Sequence, residues 1–247
     1  MFDRTFASWM SALEARHLTD LTFSEVSRGL RALSSTYVER RNRLALGDAL
    51  SGAGKRAAFA LFYSPLHALL IRRVVCGLPD ACRVRGTIVD LGCGTGAAGA
   101  AWATSAAEHL EVYGVDRHPW SVEEARWTYR HFDLQGRARM GDVRRAPLPA
   151  GSHVLASFVV NELDEGSRQA LLNRLLAHRK RGSRILVVEP LAGFVAPWWR
   201  VWQRAVQDAG GRVDEWRARL ELPEIVRKLD RAAGLDHAEI TGRSLWL

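Results

Sequence analysis

The feature that most constrains this sequence is a short apolar run that leads straight into a glycine-rich turn. Residues 87–91, Thr-Ile-Val-Asp-Leu, predict a strand that is buried on both faces of a sheet. The turn at 92–96, Gly-Cys-Gly-Thr-Gly, lacks a side chain at three positions, so the backbone can turn tightly and a ligand can approach closely. The small residues at 97–107 then predict a helix whose first N–H groups and positive dipole end face the same place.

Acidic residues end both this strand and the next one. Asp90 is an acceptor-only group beside the turn, and a second predicted strand at 111–115 ends in Asp116, about twenty residues after Gly96. That spacing places an acid on the ribose hydroxyls in nucleotide-binding βαβ units. The run V-D-L-G-C-G-T-G followed by G-V-D closely resembles the first two motifs of the class I S-adenosylmethionine (SAM) methyltransferases. A dinucleotide fold would carry its third glycine where this chain has Ala97, which favours SAM as the cofactor and leaves NAD as the alternative.

The resemblance to SAM methyltransferases implies a role for each part of the expected cofactor site. The loop 92–96 contacts the methionine part of SAM, and Asp90 supports its amino group. Asp116 binds the ribose hydroxyls with Arg117 beside the adenine, and Asp142, in a Gly-Asp-Val third motif, accepts from the adenine amine while the next backbone N–H donates to the ring. The cofactor-binding residues expected on this basis are Asp90, Gly92, Cys93, Gly94, Gly96, Asp116, Arg117, Asp142, Val143 and Ser157.

Candidate catalytic residues come from two further stretches. Asn161 and Glu162 end the apolar run of a fourth predicted strand, where methyltransferases place groups that face the substrate; helix capping would explain one of the two. Glu162 can accept a proton from a substrate N–H or O–H. Methyl transfer from a sulfonium is a direct displacement in which alignment supplies much of the effect, so positioning is favoured over general-base catalysis for Glu162. Tyr63 and His67 share one face of a predicted helix and are candidates for contact with SAM or substrate, with ordinary packing as the alternative.

Strands and helices alternate from the first strand to the end of the chain, whereas the first 80 residues contain no convincing strand. This order predicts an α/β, Rossmann-like class I methyltransferase fold with a mostly parallel seven-stranded sheet and an N-terminal helical domain. The expected domains are residues 1–80, a helical lid or substrate domain, and residues 81–247, the SAM-binding domain. Ligands of such sheets bind at the carboxyl ends of the strands, near the central first strand.

Two local patterns in the N-terminal helices carry more specific predictions. Thr22 and Glu25 have the spacing of a capping box at the start of the second helix. Pro65 is expected to kink or split a third helix over 55–75, because proline lacks an N–H donor and clashes with the preceding turn.

Composition places the chain among ordinary globular proteins. Of the 247 residues, 47% are hydrophobic and 25% are charged, and no apolar run is expected to reach the roughly 18 residues of a membrane span. The N-terminus lacks a basic region followed by an apolar core, so no signal peptide is expected. Cys76, Cys82 and Cys93 are scattered, which argues against a disulfide framework or a metal site and favours a cytoplasmic location.

The net charge of +8 comes almost entirely from arginine, which favours nucleic acid as a partner, although GC-rich coding would produce the same excess. Basic residues gather on a predicted helix at 28–43 and around 137–145 and 179–184. Three stretches, at 29–41, 156–163 and 187–194, are similar to methyltransferase-like proteins associated with the small ribosomal subunit of mitochondria and to their bacterial relatives. The mitochondrial members bind an iron–sulfur cluster through cysteines that this chain does not reproduce, so the resemblance implies a ribosomal partner but no metal.

These patterns together predict a SAM-dependent methyltransferase, with S-adenosylhomocysteine as a product, that acts on or binds to ribosomal RNA or another ribosomal component. Two alternatives stay open. One is a methyltransferase of small molecules such as natural products, in which the N-terminal helices cover an apolar pocket. The other is a ribosome-assembly factor that binds SAM without turnover. The sequence leaves the methylated atom and the oligomeric state undetermined.

Overall fold

The computed structural model describes residues 4–39, 50–108, 110–191, 197–237 and 239–247. The chain divides into two compact units, each built from segments that are distant in sequence. Unit 1 consists of Met1–His67 and Ala218–Ile240, and unit 2 consists of Ala68–Arg217 and Thr241–Leu247. This division differs from the two continuous domains, 1–80 and 81–247, that the sequence predicts.

The helices described are α1 (Arg4–His17), α2 (Phe23–Glu39), α3 (Ala53–Ala58), α4 (Ser64–Gly77), α5 (Ala97–Ser105), α6 (Pro119–His131), α7 (Glu165–Arg179), α8 (Trp199–Asp208) and α9 (Glu224–Ala233). The strands are β1 (Gly86–Leu91), β2 (Leu110–Asp116), β3 (Gly136–Met140), β4 (His153–Ser157), β5 (Ile185–Glu189), β6 (Arg212–Ala218) and β7 (Ile240–Trp246).

Unit 2 is built on a seven-stranded sheet in the order β3-β2-β1-β4-β5-β7-β6. The pairs β3–β2, β2–β1, β1–β4 and β4–β5 are parallel, and β5 pairs with β7 in antiparallel register. This confirms the predicted Rossmann-like methyltransferase fold. The strand order reverses between β1 and β4, and such a switch point opens a crevice at the carboxyl ends of the strands.

Helices cover both faces of this sheet, because its central strands are apolar on both sides. On one face, Val89 and Val187 belong to a buried core with Leu172 of α7 and Trp202 of α8. On the other face, Gly99 of α5 lies directly against β1 and β2. The sheet is therefore shielded from water except along its edges, and the ends of the strands are where a ligand can approach.

Unit 1 joins the N-terminal helices to α9. Residues near the C-terminus group with the N-terminal helices because α9 packs against α2, where the Arg31 guanidinium also donates to the Ala232 carbonyl over 2.7 Å. The predicted capping box is confirmed: a Glu25 carboxyl oxygen accepts the Thr22 N–H over 2.8 Å, and the Glu25 N–H donates back to the Thr22 hydroxyl over 3.3 Å. The arginines at 40–43 and the helix expected there lie outside the described residues.

One continuous helix, Ala53–Gly77, consists of α3, a π-helical turn at Phe59–Tyr63 and α4. Pro65 does not split this helix. The wider π turn precedes the proline, and the Ser64 hydroxyl donates to the Phe59 carbonyl over 3.1 Å. By length and composition alone the helix could cross a membrane. It contains no run of about 18 consecutive apolar residues, because Ser64, His67 and charged residues interrupt it. Within the fold, 72% of the apolar 18-residue window of this helix is buried.

Candidate functional site

The glycine turn after β1 adopts a backbone that only glycine takes up without strain. Gly92, Gly94 and Gly96 have φ angles of 69°, 52° and 78°, all in the left-handed region. A Cβ atom on Gly92 would lie 2.4 Å from a methyl group of Val159, and one on Gly96 would lie 2.9 Å from the Ala125 Cα. Conformation and close packing therefore both require glycine here.

Asp90 is fully buried beneath this turn, between β1 and α5. Its Oδ2 accepts the Gly99 N–H over 3.1 Å, whereas its Oδ1 has no hydrogen-bond partner among the described residues. Gly99, which the sequence analysis missed, leaves no room for a side chain, because a Cβ there would lie 2.7 Å from Oδ2. Burial raises the pKa of Asp90 to about 7, and the nearby Asp116 carboxylate adds to the rise.

Asp116 joins the end of β2 to the glycine turn. Its Oδ2 accepts the Gly94 N–H over 2.9 Å, and its Oδ1 accepts the His118 N–H over 2.8 Å. The structure thus brings Asp116 to the turn, as the motif spacing predicts. Each carboxylate oxygen retains a lone pair that can accept from a ribose hydroxyl, so the geometry is compatible with the predicted role.

Cys93 supports the turn from below. Its side chain is only 5% exposed. A Cβ on Gly114 would lie 2.8 Å from both the Cys93 Sγ and the Tyr129 hydroxyl, so these three residues pack tightly together. Burial raises the pKa of the Cys93 thiol well above its usual range, which keeps the thiol protonated. The Cys93 side chain therefore packs in the interior, and the role of this residue in cofactor binding stays a prediction.

The predicted third motif follows β3 and is held by arginines. The Asp142 Oδ1 accepts the Arg144 N–H over 2.9 Å, and the Arg144 guanidinium holds the pKa of Asp142 below its usual range. Arg174 of α7, which the sequence analysis missed, donates to the carbonyls of Val143 over 3.3 Å and Arg144 over 2.5 Å. The Val143 side chain belongs to the buried core. This turn is therefore a fixed element, and the adenine-binding roles of Asp142 and Val143 stay predictions.

The chain turns sharply after β4, beside the glycine turn. Ser157 is buried, and its hydroxyl has no hydrogen-bond partner among the described residues. Phe158 has a φ of 58°, a left-handed conformation that is strained for a residue with a side chain. A 3₁₀ turn, Val160–Glu162, follows at once. Because Val159 packs on Gly92, this 3₁₀ turn lies next to the predicted cofactor loop.

Asn161 and Glu162 are each held by a side chain from another part of the sequence. The Trp198 indole N–H donates to the Asn161 Oδ1 over 2.8 Å, and the Arg117 guanidinium lies 3.3 Å from a Glu162 oxygen. Burial raises the pKa of Glu162 to about 7; Arg117 opposes this rise and Asp116 reinforces it. The structure brings these two candidates to the carboxyl end of β4, where the sequence predicts them.

Glu189, the last residue of β5, lies behind this turn and was missed as a site candidate. Its side chain is fully buried, and its Oε1 accepts the N–H groups of Val160 over 2.8 Å and Asn161 over 3.3 Å. A single carboxyl group at the end of the apolar run Ile-Leu-Val-Val-Glu was the available clue in the sequence.

Tyr63 and His67 belong to unit 1, where their rings lie 6.2 Å apart. Burial raises the pKa of Tyr63 to about 12 and lowers that of His67 to about 4, so both side chains are neutral at pH 7. The glycine turn and Glu162 belong to unit 2. The catalytic roles of Tyr63 and His67 stay predictions.

The basic residues around 179–184 lie at the amino ends of the strands. Arg184 precedes β5 and, with Arg85 and Gly182, lines a cavity of about 430 Å³. A strand length of roughly 17–20 Å separates this edge of the sheet from the glycine turn. This arginine cluster is therefore remote from the predicted cofactor site.

The residues at the carboxyl edge fit a bound SAM molecule. The buried Oδ1 of Asp90 has no hydrogen-bond partner in the part of the chain that the structure describes, and an ammonium group such as that of SAM would supply one. The side-chain-free positions of the glycine turn leave space for the methionine part, and Asp116 lies within reach of the same turn. Among the described residues, no three or more His, Cys, Asp or Glu side chains come together as a metal site.

Comparison with known proteins agrees with this assignment. Residues 88–182 match a family model described as a methyltransferase domain. No curated protein matches the chain by sequence.

Solved structures are similar in fold over most of this chain's length. The mitomycin 7-O-methyltransferase MmcR matches with a TM-score of 0.56 at 17% identity, over 96% of this chain and 71% of that one. A putative O-methyltransferase from Nostoc punctiforme PCC 73102 matches with a TM-score of 0.53 at 13% identity, over 89% and 72% of the two chains. The O-methyltransferase NcsB1 from neocarzinostatin biosynthesis, solved with SAM and 2-hydroxy-5-methyl naphthoic acid, matches with a TM-score of 0.51 at 17% identity, over 95% and 73%.

Proposed function

We propose that this chain, which is a SAM-dependent methyltransferase, methylates a hydroxyl group of a small aromatic molecule rather than a ribosomal component. Bound SAM supplies an electrophilic methyl group on a sulfonium. The work left to the protein is to align the acceptor in a cleft and to provide a place for its proton.

The observation that carries this proposal is that Asn161 and Glu162 lie on one short turn beside the glycine turn. Glu162 has a pKa of about 7, so near neutral pH it can take up the proton of an acceptor hydroxyl. The Asn161 Oδ1 accepts the hydrogen bond from Trp198. The Asn161 NH₂ group can then donate a hydrogen bond to the oxygen of the molecule that is methylated. One acceptor hydroxyl can therefore meet a donor and a base on the same short turn.

Two further observations support a small aromatic acceptor. The indole of Trp198 is only partly buried and lies next to Asn161, where its apolar ring can contact a flat acceptor. Three solved structures that match this chain over 89% or more of its length are named as O-methyltransferases, and one of them was solved with a hydroxynaphthoic acid. An acceptor of that chemistry has a flat apolar body and a hydroxyl that needs alignment.

The predicted RNA partner has less support from the structure than a small aromatic acceptor. The cluster at 179–184 lies at the opposite edge of the sheet from the candidate site, and the arginines at 40–43 lie outside the described residues. Arg144 and Arg117 do lie near the carboxyl edge, but each pairs with a carboxylate, Asp142 and Glu162 respectively. The predicted cytoplasmic location stays a prediction.

The test is transfer of a tritiated methyl group from SAM to a panel of acceptors. The panel contains phenols, catechols and hydroxynaphthoic acids, together with purified small ribosomal subunits and total RNA. We expect label in a hydroxylated aromatic and none above background in RNA. Label confined to RNA, with salt-sensitive binding, would restore the ribosomal prediction. SAM binding without transfer to any panel member would point to a non-catalytic protein.

The role of Glu162 is tested with Glu162→Gln, which keeps the size of the side chain but removes the base. We expect kcat to fall about 100-fold, while the Kd for SAM stays within about twofold. Glu165→Gln, an exposed neighbour on α7, is the matched control and should retain wild-type kcat. A Glu162→Gln enzyme of normal kcat would show that Glu162 takes no proton.

A further inference from the structure

Glu189 occupies a position where an ionisable side chain is costly. It ends β5, its side chain is fully buried, and its Oε2 has no hydrogen-bond partner among the described residues. An apolar residue of similar size would fill the same space at a lower desolvation cost. The carboxyl group therefore calls for an explanation beyond packing.

The contacts of the other carboxyl oxygen provide that explanation. Oε1 accepts the Val160 N–H over 2.8 Å and the Asn161 N–H over 3.3 Å. These are the first two residues of the 3₁₀ turn Val160–Glu162, and the N–H groups at the start of a helical turn have no partner within the turn itself. Glu189 thus caps, from a neighbouring strand, the turn that carries Asn161 and Glu162.

We infer that Glu189 is a positioning residue of the acceptor site, which sets the place of Asn161 and Glu162 by holding the backbone of their turn. This inference rests on the proposed function, in which those two side chains contact the acceptor. Each of the three anchors of the turn comes from a different segment: Glu189 holds the backbone, Trp198 holds the Asn161 amide and Arg117 holds the Glu162 carboxylate.

Arg243 of β7 is the residue paired with Glu189 across the sheet. It is only 6% exposed, its Nε and Nη2 have no hydrogen-bond partner among the described residues, and its guanidinium carbon lies 4.1 Å from the centre of the Trp199 ring. Burial raises the pKa of Glu189 to about 8; the Glu162 carboxylate adds to this rise and Arg243 opposes it. Oε1 can accept hydrogen bonds whether or not the carboxyl group is protonated, so the capping role does not depend on its charge.

Three variants of Glu189 distinguish the effect of its hydrogen-bond-accepting oxygen from the effects of its charge and its volume. Glu189→Gln keeps the reach and an acceptor oxygen but removes the charge. Glu189→Met keeps approximately the volume but removes the acceptor. Glu189→Asp keeps the charge but shortens the side chain, and it serves as the non-capping variant should the methionine protein not fold.

Hydrogen–deuterium exchange of the peptide spanning 156–163 measures the turn directly. We expect its exchange to be about tenfold faster in the Met and Asp variants, the effect of losing one hydrogen bond, and unchanged within about twofold in the Gln variant. The Kd for SAM, measured by calorimetry, should stay within about twofold in all three, because the glycine turn has its own supports. The kcat is measured with a panel acceptor that the wild-type enzyme methylates. It should be lower than the wild-type value in the Met and Asp variants and close to that value in the Gln variant.

The inference is overturned if exchange in this peptide is unchanged in both the Met and Asp variants. It is also overturned if Gln is as impaired as Met, or if SAM binding weakens in step with exchange, since either result indicates a general structural role. If the proposed function is wrong, the result differs from the one expected when only the inference about Glu189 is wrong. No aromatic acceptor would then be methylated by the wild-type enzyme, while the exchange experiment would still report on the cap.

Discussion

The Oδ1 atom of Asp90, for which the described ranges contain no hydrogen-bond partner, gives the cofactor site a dependence on pH. The amino group of SAM is cationic, and an ionised Asp90 binds it more strongly than a protonated one. Because the pKa of Asp90 is about 7 in the protein without ligand, ionisation of this group takes place across the neutral range. A site of this kind gains affinity as pH rises.

We therefore expect the affinity for SAM to increase about tenfold between pH 6 and pH 8, and Asp90→Asn to bind more weakly without most of that increase. Calorimetry at three pH values measures both effects. Asp142→Asn is the matched control: the pKa of Asp142 is held low by Arg144, so this variant should keep the pH dependence of the wild type. A wild-type slope in Asp90→Asn would place the titrating group elsewhere.

Gly96 and Gly151 share a φ of 78° but differ in their surroundings. A Cβ on Gly96 would lie 2.8 Å from Tyr129 Cε1 and 2.9 Å from the Ala125 backbone, whereas a Cβ on Gly151 would have no atom within 4 Å. Gly151→Ala should cost about 1–2 kcal/mol of unfolding free energy, the strain of a left-handed alanine. Gly96→Ala should cost about 1–3 kcal/mol more, from overpacking.

Urea unfolding of the two variants measures this difference, and SAM calorimetry shows where it acts. Gly96→Ala should also weaken SAM binding, while Gly151→Ala, which lies before β4, should not. Equal losses of stability in the two proteins would mean that the packing around Gly96 yields to the added methyl group.

At the scale of elements, α7 fixes the turn after β3 through one side chain. Arg174 donates to the carbonyls of Val143 and Arg144, and also to that of Ala146. Carbonyls of a turn have no partners within a strand or helix, so one guanidinium satisfies three of them at once. The predicted adenine-binding residues are therefore held by a helix about thirty residues further along the chain.

Arg174→Ala should lower the unfolding free energy by about 1.5–3 kcal/mol, because hydrogen bonds from a charged group are lost, and should weaken SAM binding several-fold. Gln169→Ala on the same helix removes only an exposed contact with Asn173 and should change neither quantity. If Arg174→Ala lost stability but bound SAM normally, the turn after β3 would have no part in cofactor binding.

The sequence predicts the elements that have a local pattern. It does not predict the features that depend on contacts between segments distant in the chain. The glycine turn, Asp116 and the pair Asn161–Glu162 sit at the ends of apolar runs, so position alone reveals them. By contrast, β6 has the sequence Arg-Val-Asp-Glu-Trp-Arg-Ala, whose charged residues hide a strand at the edge of the sheet. The role of Glu189 depends on which N–H groups lie above it, information that no short motif contains.

At the scale of the whole molecule, three carboxyl groups with raised pKa values, two of them buried and one half-buried, oppose the folded state at alkaline pH. The pKa values of Asp90, Glu162 and Glu189 are raised to about 7, 7 and 8, above those of the unfolded chain. Between the unfolded and folded pKa values the folded state binds more protons, so stability is lost as pH rises through the folded values. Histidines whose pKa values are lowered by desolvation act in the opposite sense, but only below about pH 6.5; these are His67, His153 and His178.

The unfolding free energy should therefore fall by roughly 2–4 kcal/mol between pH 6.5 and pH 9. Urea unfolding at these two pH values measures the fall. In Glu189→Gln the fall should be about half as large, because the group with the highest pKa among the three no longer titrates. A flat profile in the wild type would mean that the three carboxyl groups are ionised throughout this range.

The two-part composition of unit 1 sets an order for synthesis. The ribosome releases residues up to His67 well before α9, which supplies a packing partner for α2, has been made. About 150 residues lie between the two segments, which at 5–20 residues per second is a delay of roughly 8–30 s. During that interval the N-terminal helices lack the packing partner that α9 provides, so unit 1 can complete its fold only after α9 has been made.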